Sequence, residues 1–342
     1  MKPIAAITIG DCNGIGPEVV LKSLRSPRVR RSVVPLLVGN TSAFSRSAHI
    51  LSLPFRPRTV NPDAEEIRRA WRDGFVPVVE PPGVEEVPVN PGICSAAAGE
   101  GAVRALECSV GLIASGTASG IVTAPVSKRA LHLAGVGTPG QTELLQRLSG
   151  ARHVAMMLVS AGLRVGLATI HTPLNAVASE LTRPLLRERI ALIEEALRRD
   201  WGIVKPRIAV LGLNPHAGEG GDLGTEERRI IDPVLRTLRA RGLTLAGPFP
   251  ADAFFARYAP GVYDAVVAMY HDQGLIPLKM TAGGKGVNVS VGLPLVRTSP
   301  DHGTAFDIAG KGTADPSSMI EAIALAALFI RNRSKRIPGT HP

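Results

Sequence analysis

Residues 207–241 read RIAVLGLNPHAGEGGDLGTEERRIIDPVLRTLRAR, and three kinds of segment follow one another in them. Residues 207–213 are a short aliphatic run of the kind a buried strand needs, 214–224 are rich in glycine, and 225–241 open a helix with acidic residues suited to its dipole. A strand that passes through a glycine-rich turn into a helix is the building unit of a parallel sheet covered by helices. The same alternation runs along the chain. Apolar runs at 4–9, 33–38, 120–123, 154–159, 164–170 and 264–269 are expected strands; amphipathic stretches at 17–24, 96–114, 142–148, 183–201, 304–309 and 315–331 are expected helices. The Pro-rich region 54–91 has weak periodicity and is expected to hold irregular connections or an antiparallel excursion. The fold class is α/β.

The glycines of the 214–224 loop, at 218, 220, 221 and 224, do not spell GxGxxG, and the loop's own acidic residues would repel a pyrophosphate, so a Rossmann dinucleotide fold is not expected. Neither a Walker motif nor a GxSxG elbow occurs. At 342 residues with 45% hydrophobic content the chain has material for a sizeable core, which fits two lobes. Its net charge of +10 raises nucleic acid or an anionic membrane as partners. The distribution argues against both: Arg68-Arg69, Arg198-Arg199 and Arg228-Arg229 are isolated pairs on expected helices, the one dense patch is the tail Arg331 to Arg336, and aromatic residues at 4% offer few stacking platforms. Cys12, Cys94 and Cys108 form no CxxC pair and no even framework, as suits a reducing cytosol. Asp11 arrives too early for a signal-peptide apolar region, and the best apolar stretch, 320–330, is too short to span a bilayer. A cytoplasmic protein is expected, with no membrane or nucleic-acid partner.

Three histidines follow three expected strands: His171 after RVGLATI, His216 after RIAVLGLNP and His271 after DAVVAMY. Strand ends of a parallel sheet share one edge, where ligands bind, so the three imidazoles have a route to convergence despite their separation in sequence. Three neutral imidazoles with open positions make a catalytic site for zinc or a related divalent ion. The other reading is three loop histidines that cap helices and turns. His49, His132, His153 and His341 lack comparable surroundings. Asp252, Asp272, Asp301 and Asp307 are candidate orienters of the imidazoles or helix caps. Lys279, Lys285, Asn288 and Arg297 stand among glycines on tight loops, where cations and an amide can surround a phosphate or carboxylate; a solvated turn is the alternative. Thr142, in TPGQTE, either caps a helix or offers its hydroxyl to an anion, and the loop GDCNGIGPE at 10–18 is either a tight turn or part of the cleft.

Taken together these segments resemble the 4-hydroxythreonine-4-phosphate dehydrogenase family of vitamin B6 biosynthesis. The resemblance runs from Ile7 to about Ala314 and is carried by GDxxGIGPE at 10–18, TAPVSK at 123–128, LNPHAGEGG at 213–221, MYHDQGLIPLK at 269–279 and GVNVSVGLPLVRTSPDHGTAFDIAG at 286–310. It implies two α/β/α lobes with a central cleft, of the isocitrate and isopropylmalate dehydrogenase type, expected at 1–130 plus 280–342 and at 131–279. The second lobe would carry the metal histidines and much of a dimer interface. It implies His171, His216 and His271 as metal ligands, and Thr142, Lys279, Asn288 and Arg297 on the substrate's phosphate end. The metal site would be shared between the subunits of a homodimer, with zinc first and magnesium or cobalt as alternatives, and NAD, or NADP, would lie between the lobes. The implied reaction is oxidation with decarboxylation of 4-phosphohydroxy-L-threonine to 3-amino-2-oxopropyl phosphate, for which Asp252 and Asp272 are the candidate orienting or proton-handling carboxylates.

Two departures bear on the substrate. Members usually have His where this chain has Gln141, which keeps a donor and an acceptor but cannot become a cation near neutral pH. The opening loop reads GDCNG where GDPAG is commoner. A paralogue acting on D-threonate or D-erythronate 4-phosphate is the alternative of the same class, and a non-catalytic phosphometabolite-binding protein that of another class. A more distant branch oxidises an aromatic cis-dihydrodiol dicarboxylate; the four candidate phosphate contacts favour a phosphorylated substrate.

Overall fold

The computed structural model describes residues 1–335 apart from Glu85, Glu86, Pro139 and Ala161, so Arg336 and His341 lie outside the described residues. Its strands are β1 (Ile4–Thr8), β2 (Val34–Val38), β3 (Pro57–Thr59), β4 (Val76–Val79), β5 (Gly120–Thr123), β6 (Ala155–Ser160), β7 (Leu163–Leu167), β8 (Arg207–Leu211), β9 (Thr244–Phe249), β10 (Ala265–Ala268), β11 (Val287–Val291) and β12 (Arg297–Pro300). The chain divides into two compact units, Met1–His153 with Leu293 onward, and Val154–Gly292.

In the first unit the strand order is β3-β4-β2-β1-β5-β12, and every pairing is parallel. All five residues of β1 and of β2 are buried, the mark of strands covered on both faces, which is why they read as unbroken apolar runs. The 54–91 region departs from expectation. It holds the parallel strands β3 and β4 with the helix Ala64–Arg72 between them, started by the Asp63 carboxylate accepting from the Glu66 N–H. The helix Ala96–Ala114 meets Lys128–Leu133 so closely that a Cβ on Gly99 would lie 2.2 Å from the Ala130 carbonyl oxygen. Beyond it, Gln141 donates to the Ala124 carbonyl and Thr142 accepts from Arg297, which ties residues past 130 to the first unit up to His153. Residues 304–309, expected to be helical, are not: 306–309 are turns, and Ala305 before them takes φ 42°, outside any right-handed helix.

The second unit has the order β11-β6-β7-β10-β8-β9. The β7, β10, β8 and β9 pairings are parallel, whereas β6 runs antiparallel to both β7 and β11. Only two residues separate Ser160 from Leu163, enough for a hairpin and far too few for a crossover. The helix Arg183–Arg199 buries Leu186, Ile190, Ile193 and Leu197, one face at helical spacing, and is capped by the Thr182 hydroxyl. The expected 225–241 helix is two elements, a π turn over Glu227–Ile231 and an α-helix over Asp232–Ala240. Pro233 has no N–H for the carbonyl of Arg229, and that carbonyl accepts instead from the Arg183 Nε at 2.7 Å. Among the described residues no helix is long and apolar enough to cross a membrane.

Candidate active site

In the second unit the neighbouring parallel strands β7, β10 and β8 are those that lead to His171, His271 and His216. Pairing between the first two continues past their ends: the Ala168 N–H donates to Ala268, and both the N–H and the hydroxyl of Thr169 donate to the Met269 carbonyl. The chain therefore leaves the sheet with His171 and His271 side by side, their ring centroids 6.1 Å apart. The two rings line a cavity of about 300 Å3 together with Ile170, Thr172, Tyr270 and Asp272. His271 is the first residue of the helix His271–Ala282, which sequence periodicity missed because Gly274 and Pro277 interrupt it. Gln273 locks this corner. Its Oε1 accepts from the Met269 N–H and its Nε2 donates to the Gly212 carbonyl, both at 2.7 Å.

The Nδ1 of His271 lies 2.7 Å from Asp272 Oδ1, and the Nδ1 of His216 lies 3.1 Å from Glu219 Oε2. A carboxylate can only accept, so each Nδ1 carries a proton, and in the neutral imidazole Nε2 is then the nitrogen whose lone pair faces a metal. This donor set, neutral imidazoles oriented by carboxylates, fits a divalent transition ion. Among the described residues, however, no three His, Cys, Asp or Glu are placed to hold a metal. His171 and His271 are brought together; His216 does not complete a triple with them. Asp272 stands on His271, whereas Asp252 is exposed on the short helix Ala251–Ala256 and makes no hydrogen bond or ion pair among the described residues.

His216 sits in an unusual backbone. His216, Ala217, Gly218, Glu219 and Gly220 take φ of 53°, 53°, 80°, 41° and 69°, a left-handed turn of five residues. Each of its three side-chain-bearing residues costs roughly 1–2 kcal/mol there. Such a turn presents no helix N-terminus to a pyrophosphate, in keeping with the absent dinucleotide fingerprint.

The first unit gathers a second set of groups. Arg297, the first residue of β12, is buried; its Nε and Nη2 donate to the Thr123 hydroxyl at 3.2 and 2.8 Å, and its Nη1 to the Thr142 hydroxyl at 3.4 Å. Burial lowers the guanidinium pKa to about 10, opposed by the nearby Glu143 charge, and the group remains a cation at neutral pH. Thr142 is not the helix cap: Gly140 holds that position in the helix Gln141–Ser149 and the threonine hydroxyl serves Arg297. Gln141 donates its Nε2 to the Ala124 carbonyl at 3.1 Å, which fixes the amide so that Oε1, buried and without a partner among the described residues, is left as an acceptor. Thr123, in the TAPVSK motif, was not singled out by sequence. Of the other candidates, Lys279 is exposed near the end of its helix, and Asn288, on β11, has a buried Oδ1 without a partner among the described residues. The substrate candidates thus divide, Gln141, Thr142 and Arg297 on the first unit and Lys279 and Asn288 on the second.

Two α/β units, one with imidazoles beyond neighbouring parallel strands and the other with a buried guanidinium held by hydroxyls, define an α/β protein. Residues 31–326 match the family model described as pyridoxal phosphate biosynthetic protein PdxA, and the chain belongs to that family. It is 45% identical over 322 residues to the 4-hydroxythreonine-4-phosphate dehydrogenase of Beijerinckia indica, covering 94% of this chain and 93% of that one. It is 53% identical over 234 residues to the protein of that name from Ruegeria sp., covering 68% and 72%. The crystal structure of the Klebsiella pneumoniae 4-hydroxythreonine-4-phosphate dehydrogenase superposes with a TM-score of 0.85 at 39% identity, over 96% of this chain and 98% of that one. A terephthalate 1,2-cis-dihydrodiol dehydrogenase from Burkholderia xenovorans is more distant, with a TM-score of 0.65 at 30% identity over 96% and 98%. Its relatives being dehydrogenases, the chain is an oxidoreductase.

Proposed function

We propose that the protein oxidises and decarboxylates 4-phosphohydroxy-L-threonine to 3-amino-2-oxopropyl phosphate, with NAD as hydride acceptor and NADP as the alternative, in pyridoxal phosphate biosynthesis. The observation that carries the reading is the His171–His271 pair at adjacent strand ends, with Asp272 fixing the His271 tautomer, in a chain of this family. His171, His216 and His271 would hold the divalent cation through ring nitrogens, zinc first and magnesium or cobalt otherwise. When bound, the cation supplies positive charge that eases removal of the alcohol proton and offsets the negative charge that develops as carbon dioxide leaves. In this reading the protein is a homodimer in which His216 serves the partner's His171–His271 pair. Arg297 and Thr142, with Lys279 and Asn288, would bind the phosphate end, and Gln141 would meet the substrate beside them. Asp272 would keep the proton on His271 Nδ1, and Asp252 with Asp272 would be the orienting or proton-handling carboxylates.

The test is NADH formation by protein supplied with zinc, given 4-phosphohydroxy-L-threonine beside D-threonate and D-erythronate 4-phosphates. Preferred turnover of the first is expected. The neutral, oriented amide of Gln141 favours a second reading, oxidation of one of the sugar-acid phosphates, and preference for either of them would replace the first. NAD binding without turnover of any of the three would point to a non-catalytic binding protein.

A further inference from the structure

A left-handed turn of L-residues does not hold itself, so the segment Pro215–Gly221 must be determined from outside. The determining group is Glu227, 4% exposed at the start of the π turn Glu227–Ile231. Its Oε1 accepts from the backbone N–H groups of Leu213 and Asn214, both at 2.7 Å, and its Oε2 accepts from Asn214 Nδ2 at 2.9 Å. The same Oε2 forms the floor of the turn: a Cβ on Gly218 would lie 2.6 Å from it. The carboxylate therefore grips the residues that lead into the left-handed turn and sets how closely the turn approaches. Glu226 takes Asn214 Nδ2 as well, at 2.7 Å, which fixes the amide between the two carboxylates. We infer that Glu227 is a positioning residue, which acts through the 213–218 backbone to aim the His216 ring, and does not itself meet substrate. Its burial and its three N–H donors leave it no route to a substrate proton. The inference rests on the proposed reading of His216 as a metal ligand.

The experiment uses the full-length protein, wild type, Glu227→Gln and Gly218→Ala, each first metal-free and then titrated with Co2+. Glutamine keeps an acceptor for the two backbone N–H groups but turns an NH2 toward the NH2 of Asn214. Gly218→Ala removes no hydrogen bond and pushes the turn off the carboxylate from the other side. Both variants are expected to speed amide hydrogen exchange over residues 213–224 about tenfold, to weaken Co2+ binding about tenfold, and to alter the Co2+ absorption bands. A role confined to stability would lower Tm and leave the Co2+ bands and affinity of the folded protein as in wild type, and that result overturns the inference. Unchanged exchange over 213–224 in Glu227→Gln overturns it too. Should Glu227→Gln fail to fold, Gly218→Ala decides by the same measurements. A wild type that binds no Co2+ would sink the metal reading of His216 and the aiming role with it; metal binding with wild-type affinity in both variants sinks the inference alone.

Discussion

The Asp11 carboxyl turns one oxygen to the Asn13 N–H, at 3.0 Å, and buries the other without a partner among the described residues. Burial pushes its pKa up to about 6 from the ordinary 3.8. A carboxyl whose folded pKa is raised binds its proton more tightly in the native state, so stability is highest below the unfolded value and falls as pH rises through 4 to 6. Asp11→Asn keeps the acceptor for Asn13 and carries no charge. It should raise stability at pH 7 by about 3 kcal/mol, the worth of a two-unit shift, and flatten the pH dependence between 4 and 6. Denaturant midpoints of the two proteins at pH 4 and pH 7 test this; equal stability at pH 7 would show that Asp11 is paired in solution.

Arg297 holds its charge in a buried position beside the hydroxyls of Thr123 and Thr142, which orient the guanidinium fork. Inorganic phosphate should stabilise the wild type by about 2.7 kcal/mol when present at 100 times its Kd. Arg297→Met keeps most of the packing volume and removes the charge, so phosphate should no longer raise Tm. A phosphate effect of equal size in both proteins would take Arg297 out of the anion site.

Legibility in sequence followed burial. β1 and β2 are buried at every position, so their composition announces them, and the three histidines were legible because they follow strands that are largely buried, β7, β8 and β10. The helix His271–Ala282 was not, since Gly274 and Pro277 are helix breakers within it, although its buried Gly274, Leu275, Leu278 and Ala282 share one face. The antiparallel course of β6 lay in the length of one connection, two residues after Ser160, rather than in the strand's own composition. The left-handed run at 216–220 had no local sequence signal beyond Gly218 and Gly220, because the group that enforces it, Glu227, is supplied from the following element.

His171 stands beside His271, and among the described residues His216 completes no triple with them, so the proposed shared site makes a prediction about mixed dimers. His216→Ala and His271→Ala should each lose bound zinc and turnover as pure proteins. In a heterodimer of the two, one site would draw His171 and His271 from the His216→Ala chain and His216 from the other chain, and so be intact. Mixing the unfolded variants and refolding them should restore about a quarter of wild-type activity and of zinc content, since half the dimers are mixed and each has one good site. No restoration, with heterodimers present by native mass spectrometry, would mean that all three ligands come from one chain or that His216 is not a ligand.

Gln141 offers an acceptor whose orientation the Ala124 carbonyl dictates, and it has no charge to give at any working pH. Histidine at the same position would titrate near pH 6.5 and, once protonated, would hold a substrate carboxylate by a charge-assisted bond about 1.4 kcal/mol stronger than the amide can make. Gln141→His should therefore raise kcat/KM on 4-phosphohydroxy-L-threonine about tenfold at pH 6, with the gain fading above pH 7 as the imidazole loses its proton. The wild-type profile should lack that titration. A gain independent of pH would mean that shape, not charge, is what position 141 contributes, and a lower rate at pH 6 would mean that this site is fitted to a substrate whose hydroxyl or ammonium donates to the amide oxygen.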